Sequence, residues 1–119
     1  MVKNKSEPAQ KLSYFYVLWC KDNSFYGGYT TDLLRREEEH NTGIGAKYTR
    51  PQSRRPLNMI YAETFETKAE AMKAEYAFKQ LTRAKKEAYL KQWGVKFPLS
   101  RKRACVVREV IELANTTKL

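Results

Sequence analysis

The sequence predicts a mixed α/β (α+β) fold, in which a few short strands and amphipathic helices share one core. Three observations predict it. "SYFYVLWC" (13–20) is aromatic and β-branched, and the turn signal "KDNS" (21–24) separates it from "FYGGY" (25–29), the pattern of a β-hairpin. "LNMIYAETF" (57–65) alternates roughly and reads as a third strand. Two later stretches begin with helix-capping residues, Thr31-Asp32 and the "TKAE" box at 67–70. A chain of 119 residues is long enough for one domain with a modest core.

The elements follow in order. Residues 1–12 are polar, include Pro8, and read as a flexible basic arm. In the hairpin, Gly27 and Gly28 weaken a strand interior and imply a bend or a close approach. A helix capped by Asp32 or Thr31 runs to about Asn41. "NTGIGAKYTRPQSRRP" (41–56) is a loop by its glycines, prolines and serine. After the third strand, Thr67 opens a helix through about Leu81, with Glu70 reaching back to complete the box. Thr82 caps a further helix over about 83–92, ended by Gly94. Residues 13–93 thus form the expected domain. Beyond it, 94–119 divides into a basic linker, "VKFPLSRKR", and "ACVVREVIELAN". In the latter, Val106, Val107, Val110, Ile111 and Leu113 have near-helical spacing and predict a short amphipathic C-terminal helix.

Charge narrows the function class. The formal net charge is +10, which points to an anionic partner, most often nucleic acid. Residues 1–13 carry +2, 14–92 carry +4 and 93–119 carry +4, so more than half of the excess lies outside the expected domain. No apolar run approaches membrane-spanning length, so no membrane partner is expected. The N-terminal stretch has charge but no apolar segment after it, unlike a secretory signal. Cys20 and Cys105 form no metal-ligand spacing and fit buried thiols in a reducing, cytoplasmic setting.

One constellation carries chemistry. Arg36 and His40 are one helical turn apart on the same face. Tyr16 and Tyr26 lie on the paired strands that lead into that helix. Glu75 is embedded among Ala71, Ala74 and Phe78 on the next one. Each residue also has a structural reading: Arg36 pairs with Glu39, His40 interacts with the helix dipole, Glu75 pairs with Lys79, and the tyrosines are core aromatics. Together they suit phosphodiester hydrolysis. An arginine neutralises a phosphate and stabilises charge growing in the transition state. A lone carboxylate can hold Mg²⁺, which keeps several waters. A tyrosine can orient or deprotonate the attacking water, provided that a nearby cation lowers its pKa.

The stretch from Tyr14 to about Tyr89 resembles the GIY-YIG endonuclease superfamily, and within it the small stand-alone bacterial proteins. The matching pieces are "YFYVLWCKDNSFYGGYT", "TDLLRREEEHN", "GAKYTR", "RRPLNMIYAETF" and "EAMKAEYAFKQLTRAKK". "YFY" (14–16) stands where the family has GIY, and "YGG" (26–28) where it has YIG. The resemblance implies a three-stranded antiparallel sheet flanked by helices, with metal-dependent cleavage of a nucleic-acid strand as the activity. It implies that Tyr16, Tyr26, Arg36 and His40 are catalytic and that Glu75 holds one Mg²⁺ or Mn²⁺. Glu37, Glu38 and Glu39 depart from the family pattern, which has an apolar residue after the catalytic arginine. Glu37 is expected to repel nucleic acid, so that Glu37→Leu would raise affinity.

The expected partner is nucleic acid, DNA rather than RNA, cut by structure or backbone geometry in repair or recombination. Arg35, Lys47, Arg50, Arg54 and Arg55 would contact flanking phosphates, which position a strand without reading sequence. Tyr48 is expected to pack or stack. The alternative is a catalytically weak binding module with the same fold. The C-terminal tail is a candidate for a protein partner or a dimer face.

Overall fold

The computed structural model describes residues 11–110. Strands β1 (Ser13–Trp19) and β2 (Phe25–Thr30) form the expected hairpin, and α1 (Leu33–Asn41) follows directly. Asp32 is its N-cap, accepting from the Arg35 amide at 3.1 Å. Two short 3₁₀ turns, Lys47–Thr49 and Gln52–Arg54, give the long loop its shape. Then come β3 (Asn58–Phe65), α2 (Lys68–Lys79), α3 (Arg83–Gln92) and β4 (Val106–Glu109). Thr67 and Thr82 cap α2 and α3 as expected. The box at 67–70 is only half made, because Glu70 accepts from the Thr67 hydroxyl instead of its backbone amide. Gly94 takes positive φ (104°) just after α3, a conformation that side chains resist.

The sheet order is β2-β1-β3-β4. β1 is antiparallel to both β2 and β3. As the central strand it is buried on both faces, so Phe15, Tyr16, Val17 and Leu18 form one continuous buried run. Phe15 and Val17 pack with Tyr61, Phe78 of α2 and Leu90 of α3. Tyr16 and Leu18 pack on the opposite face with Leu57, Met59, Ala62 and Leu33 of α1. Each buried aliphatic or Phe side chain contributes about 1.5–3 kcal/mol.

Two departures from expectation matter. The sheet has four strands, not three. Val106–Glu109, expected to be helical, is instead a strand parallel to β3, with Val106 opposite Tyr61. The remainder of the expected C-terminal helix, 111–119, lies outside the described residues, as does most of the N-terminal arm. The segment joining α3 to β4 also packs inward: Val95 is buried, and Phe97 and Leu99 rest on the same cluster.

The second departure is a bulge. The β1–β3 register shifts between Val17 and Leu18, so that Val17 faces Tyr61 while Leu18 faces Met59. A bulge leaves ladder groups unpaired. Here Glu37 supplies an acceptor, its Oε2 2.8 Å from the Met59 amide. One turn on, Asn41 accepts from the Leu57 amide at 2.8 Å and donates to the Leu57 carbonyl at 3.1 Å. α1 is therefore stitched to the start of β3, which sets the position of Arg36 and His40 over the sheet.

Candidate active site

Tyr16 is opposite Gly28 across the hairpin. A Cβ on Gly28 would collide with the Tyr16 hydroxyl, so the glycine lets the phenol lie flat across β2. That hydroxyl meets His40 Nε2 at 2.8 Å and Arg36 Nε at 3.3 Å. His40 Nδ1 lies 2.6 Å from Thr49 Oγ1, and the Thr49 hydroxyl reaches the Ala46 carbonyl at 3.1 Å. A Cβ on Gly45 would strike the imidazole, so the loop also needs a glycine there.

These contacts have one assignment in which every proton has an acceptor. Thr49 donates to Ala46, so its oxygen accepts from His40 Nδ1–H. Nε2 is then bare and accepts the Tyr16 O–H. The Tyr16 oxygen in turn accepts from Arg36 Nε–H. Electrostatics agree. Burial, reinforced by the Arg36 charge, pushes His40 down to about 4, so the imidazole is neutral at pH 7. Burial pushes the Tyr16 hydroxyl up to about 12, against the pull of Arg36. The lowered pKa expected of a tyrosine base beside a cation is therefore not found at Tyr16. It is a neutral donor that fixes its neighbours.

Arg36 is half-buried, with a side chain 28% exposed. Its Nη1 binds Glu39 at 2.9 Å, while Arg35 is further from Glu39 (3.8 Å) and largely in solvent. Tyr26 is half-buried, its ring 5.5 Å from His40 and stacked on Tyr48 at 5.6 Å with a 17° interplanar angle. Lys79 sits 5.3 Å from the Tyr26 ring centre and 2.7 Å from Glu75. Glu75 is near enough for its charge to act on the Tyr16 hydroxyl. The structure thus brings Tyr16, Tyr26, Arg36, His40 and Glu75 together. Both ion pairs of the structural reading, Arg36–Glu39 and Glu75–Lys79, are also present.

The basic loop divides. Lys47 and Arg50 are exposed. Arg54 lies 3.9 Å from the Tyr48 ring centre, pairs with Asp22 at 3.2 Å and donates to the Tyr48 carbonyl. Arg55 donates to the carbonyls of Asn41 and Arg50, holding the loop against α1. The sequence does not single out Thr49 or Asn41, names Lys79 only as a partner of Glu75, and reads Glu37 as a repelling charge and not as the acceptor of the Met59 amide. "GAKYTR" drew attention to the loop, but no spacing pairs Thr49 with His40.

As a metal holder, Glu75 stands alone: among the described residues no three His, Cys, Asp or Glu side chains cluster. This donor set fits a largely hydrated Mg²⁺ or Mn²⁺ that shares substrate oxygens, and does not fit a caged ion. Lys79 would have to release Glu75 first. No helix among the described residues is long and apolar enough to cross a membrane.

Comparison with known proteins gives a consistent picture. The model of the GIY-YIG catalytic domain matches residues 12–93. A UPF0213 protein of Enterococcus faecalis is 65% identical over 82 residues, 69% of this chain and 93% of that one. One from Lactiplantibacillus plantarum is 57% identical over 91 residues, covering 76% and 90%. The UPF0213 protein YazA of Bacillus subtilis is 60% identical over 79 residues, covering 66% and 78%. The solution NMR structure of an E. faecalis protein superposes with a TM-score of 0.51 at 59% identity, over 76% of this chain and 94% of that one.

Proposed function

Because this chain belongs to the GIY-YIG catalytic-domain family, a nuclease superfamily, we propose that it is a divalent-metal-dependent endonuclease hydrolysing phosphodiester bonds in DNA. One observation carries the reading: the directed chain Arg36–Tyr16–His40–Thr49 ends in a partly exposed guanidinium, and the Tyr16 hydroxyl at its centre lies within reach of the Tyr26 and Glu75 charges. Arg36, released from Glu39, binds the scissile phosphate and stabilises charge developing on it. Tyr16 fixes the Arg36 Nε edge through a hydroxyl that neutral His40 keeps oriented. Tyr26, less buried than Tyr16, places the attacking water. Glu75 would hold Mg²⁺ or Mn²⁺, an ion that supplies positive charge at the leaving oxygen when bound. Lys47, Arg50 and Arg35 contact flanking phosphates. Arg54 and Arg55 act mainly by shaping the loop. Free Cys20 and Cys105 suit a cytoplasmic setting.

Arg36→Ala and Glu75→Ala should each abolish metal-dependent nicking of branched, flapped or single-stranded DNA, with circular dichroism and melting unchanged. Wild-type protein that cleaves neither DNA nor RNA with Mg²⁺ or Mn²⁺ defeats the proposal. A second reading, a binding module with little catalysis, draws on the same geometry: Glu39 and Lys79 occupy the two groups that chemistry needs. Binding that persists in EDTA, with no turnover on metal addition, would favour it.

A further inference from the structure

Residues 94–110 lie beyond the family match at 12–93. Relatives are matched over most of their own length by two-thirds to three-quarters of this chain. The segment is nonetheless built into the fold through Val95 and β4. Between them, "SRKR" (100–103) makes a turn, with Ser100 Oγ accepting from the Lys102 amide at 3.2 Å. Arg103 pins the turn from within, its Nη1 donating to the carbonyls of Lys96 and Pro98 at 2.8 Å each.

Arg101 determines where the turn docks. Its guanidinium lies 4.2 Å from the Trp19 ring centre, donates to Asn58 Oδ1 and reaches the Cys20 carbonyl at 3.4 Å. The turn therefore lands at the end of β1, against the β1–β2 turn. That turn is itself tied to the basic loop: the Lys21 amide donates to the Arg54 carbonyl at 3.0 Å, and Asp22 binds the Arg54 side chain. Arg54 rests on Tyr48, and Tyr48 stacks on Tyr26. A continuous series of contacts thus runs from the candidate active site through Tyr48, Arg54 and Lys21 to Arg101 and Lys102.

This surface is cationic and partly open. A shallow cleft of about 450 Å³, lined by Lys21, Asn41, Gln52, Arg55 and Pro56, lies along it. Lys21 and Lys102 are both exposed, and each is the chain neighbour of a residue in the Arg101–Cys20 contact. Asp22, on this surface, is already paired with Arg54. Exposed cations spaced along one track match the repeating phosphates of a strand better than a single small anion.

We propose that the 100–103 turn prolongs the phosphate-binding track of this chain, so that Lys21 and Lys102 grip the DNA backbone away from the scissile bond. The inference rests on the nucleic-acid reading above and adds a contact that the matched domain does not include.

The test is fluorescence anisotropy of the full chain with a labelled DNA duplex in EDTA, titrated with salt. Lys21→Glu/Lys102→Glu is compared with Lys85→Glu, a charge reversal on α3. The double variant should bind about tenfold more weakly, with the log–log salt slope reduced by about 1.8, the value for two lost phosphate contacts on a duplex. Lys85→Glu should leave the slope unchanged. An unchanged slope in the double variant, an equal loss in Lys85→Glu, or an effect seen with RNA and not with DNA would overturn the proposal. Binding that responds as expected without any cleavage in Mg²⁺ would sink the nuclease reading and leave this one standing.

Discussion

Each face of the sheet buries a tyrosine in a polar network, yet the two networks differ in kind. On the α1 face, Tyr16, His40 and Thr49 are fully buried, but the chain ends at half-exposed Arg36. On the α2/α3 face, Glu63 is 2% exposed and accepts from the hydroxyls of both Tyr61 and Tyr89. Burial comes first in raising the pKa of both hydroxyls, and the Glu63 charge adds to it. β4 then brings Arg108 opposite Glu63, its guanidinium 3.7 Å from the Trp93 ring centre. The first network presents a charged group to solvent, and the second encloses one. A buried polar cluster becomes a candidate site only where one end can meet a ligand.

The comparison breaks most directly at Glu63. Glu63→Ala leaves two phenol hydroxyls without their acceptor and should cost about 3 kcal/mol. Glu63→Gln keeps a carbonyl acceptor and should cost about 1 kcal/mol. Cleavage per folded molecule should be unchanged in both. Lost activity in a fully folded Glu63→Gln protein would mean that the enclosed network serves the site after all.

The α1 face should reveal itself by acid. The folded-state pKa of His40, about 4, lies below its ordinary 6.5, so the unfolded chain binds the extra proton first. Its contribution to stability is complete above about 6.5 and is lost as pH falls towards 4. At pH 5 the loss is about 2 kcal/mol. Urea unfolding at pH 7 and pH 5 should show it in wild type and not in His40→Gln. Equal losses in both would mean that the imidazole is not held neutral by its burial beside Arg36.

Legibility followed sequence distance. The hairpin, α1 and the caps Asp32, Thr67 and Thr82 are local, and residue type alone places them. β4 escaped because Val106, Val107 and Val110 satisfy a helical spacing as well as a strand, and its partner Tyr61 is far away in sequence. In the site, i,i+4 spacing joined Arg36 to His40, and hairpin pairing placed the tyrosines. Thr49 and Asn41 were invisible as partners because their bonds cross from loop to helix and from helix to strand. Arg54 and Arg55 read as free cations because composition does not show Asp22 or the loop carbonyls beside them.

The glutamate run holds the smallest effects and sharpens the contrast within one helix. The sequence made Glu37 the residue that repels nucleic acid, but the structure gives Glu37 to the Met59 amide at the β-bulge. Glu37→Leu strands that donor and should cost about 1–2 kcal/mol in stability, without raising affinity. The opposing charge at the site belongs to Glu39, 2.9 Å from Arg36. Both side chains are nearly one-third exposed, so the pair contributes less than about 1 kcal/mol. Glu39→Gln should therefore free Arg36 and tighten binding of single-stranded DNA by a few-fold at low salt, with the gain fading as salt screens the charge. If Glu37→Leu tightens binding and Glu39→Gln does not, the repulsion sits at the bulge and Arg36 is held by something other than Glu39.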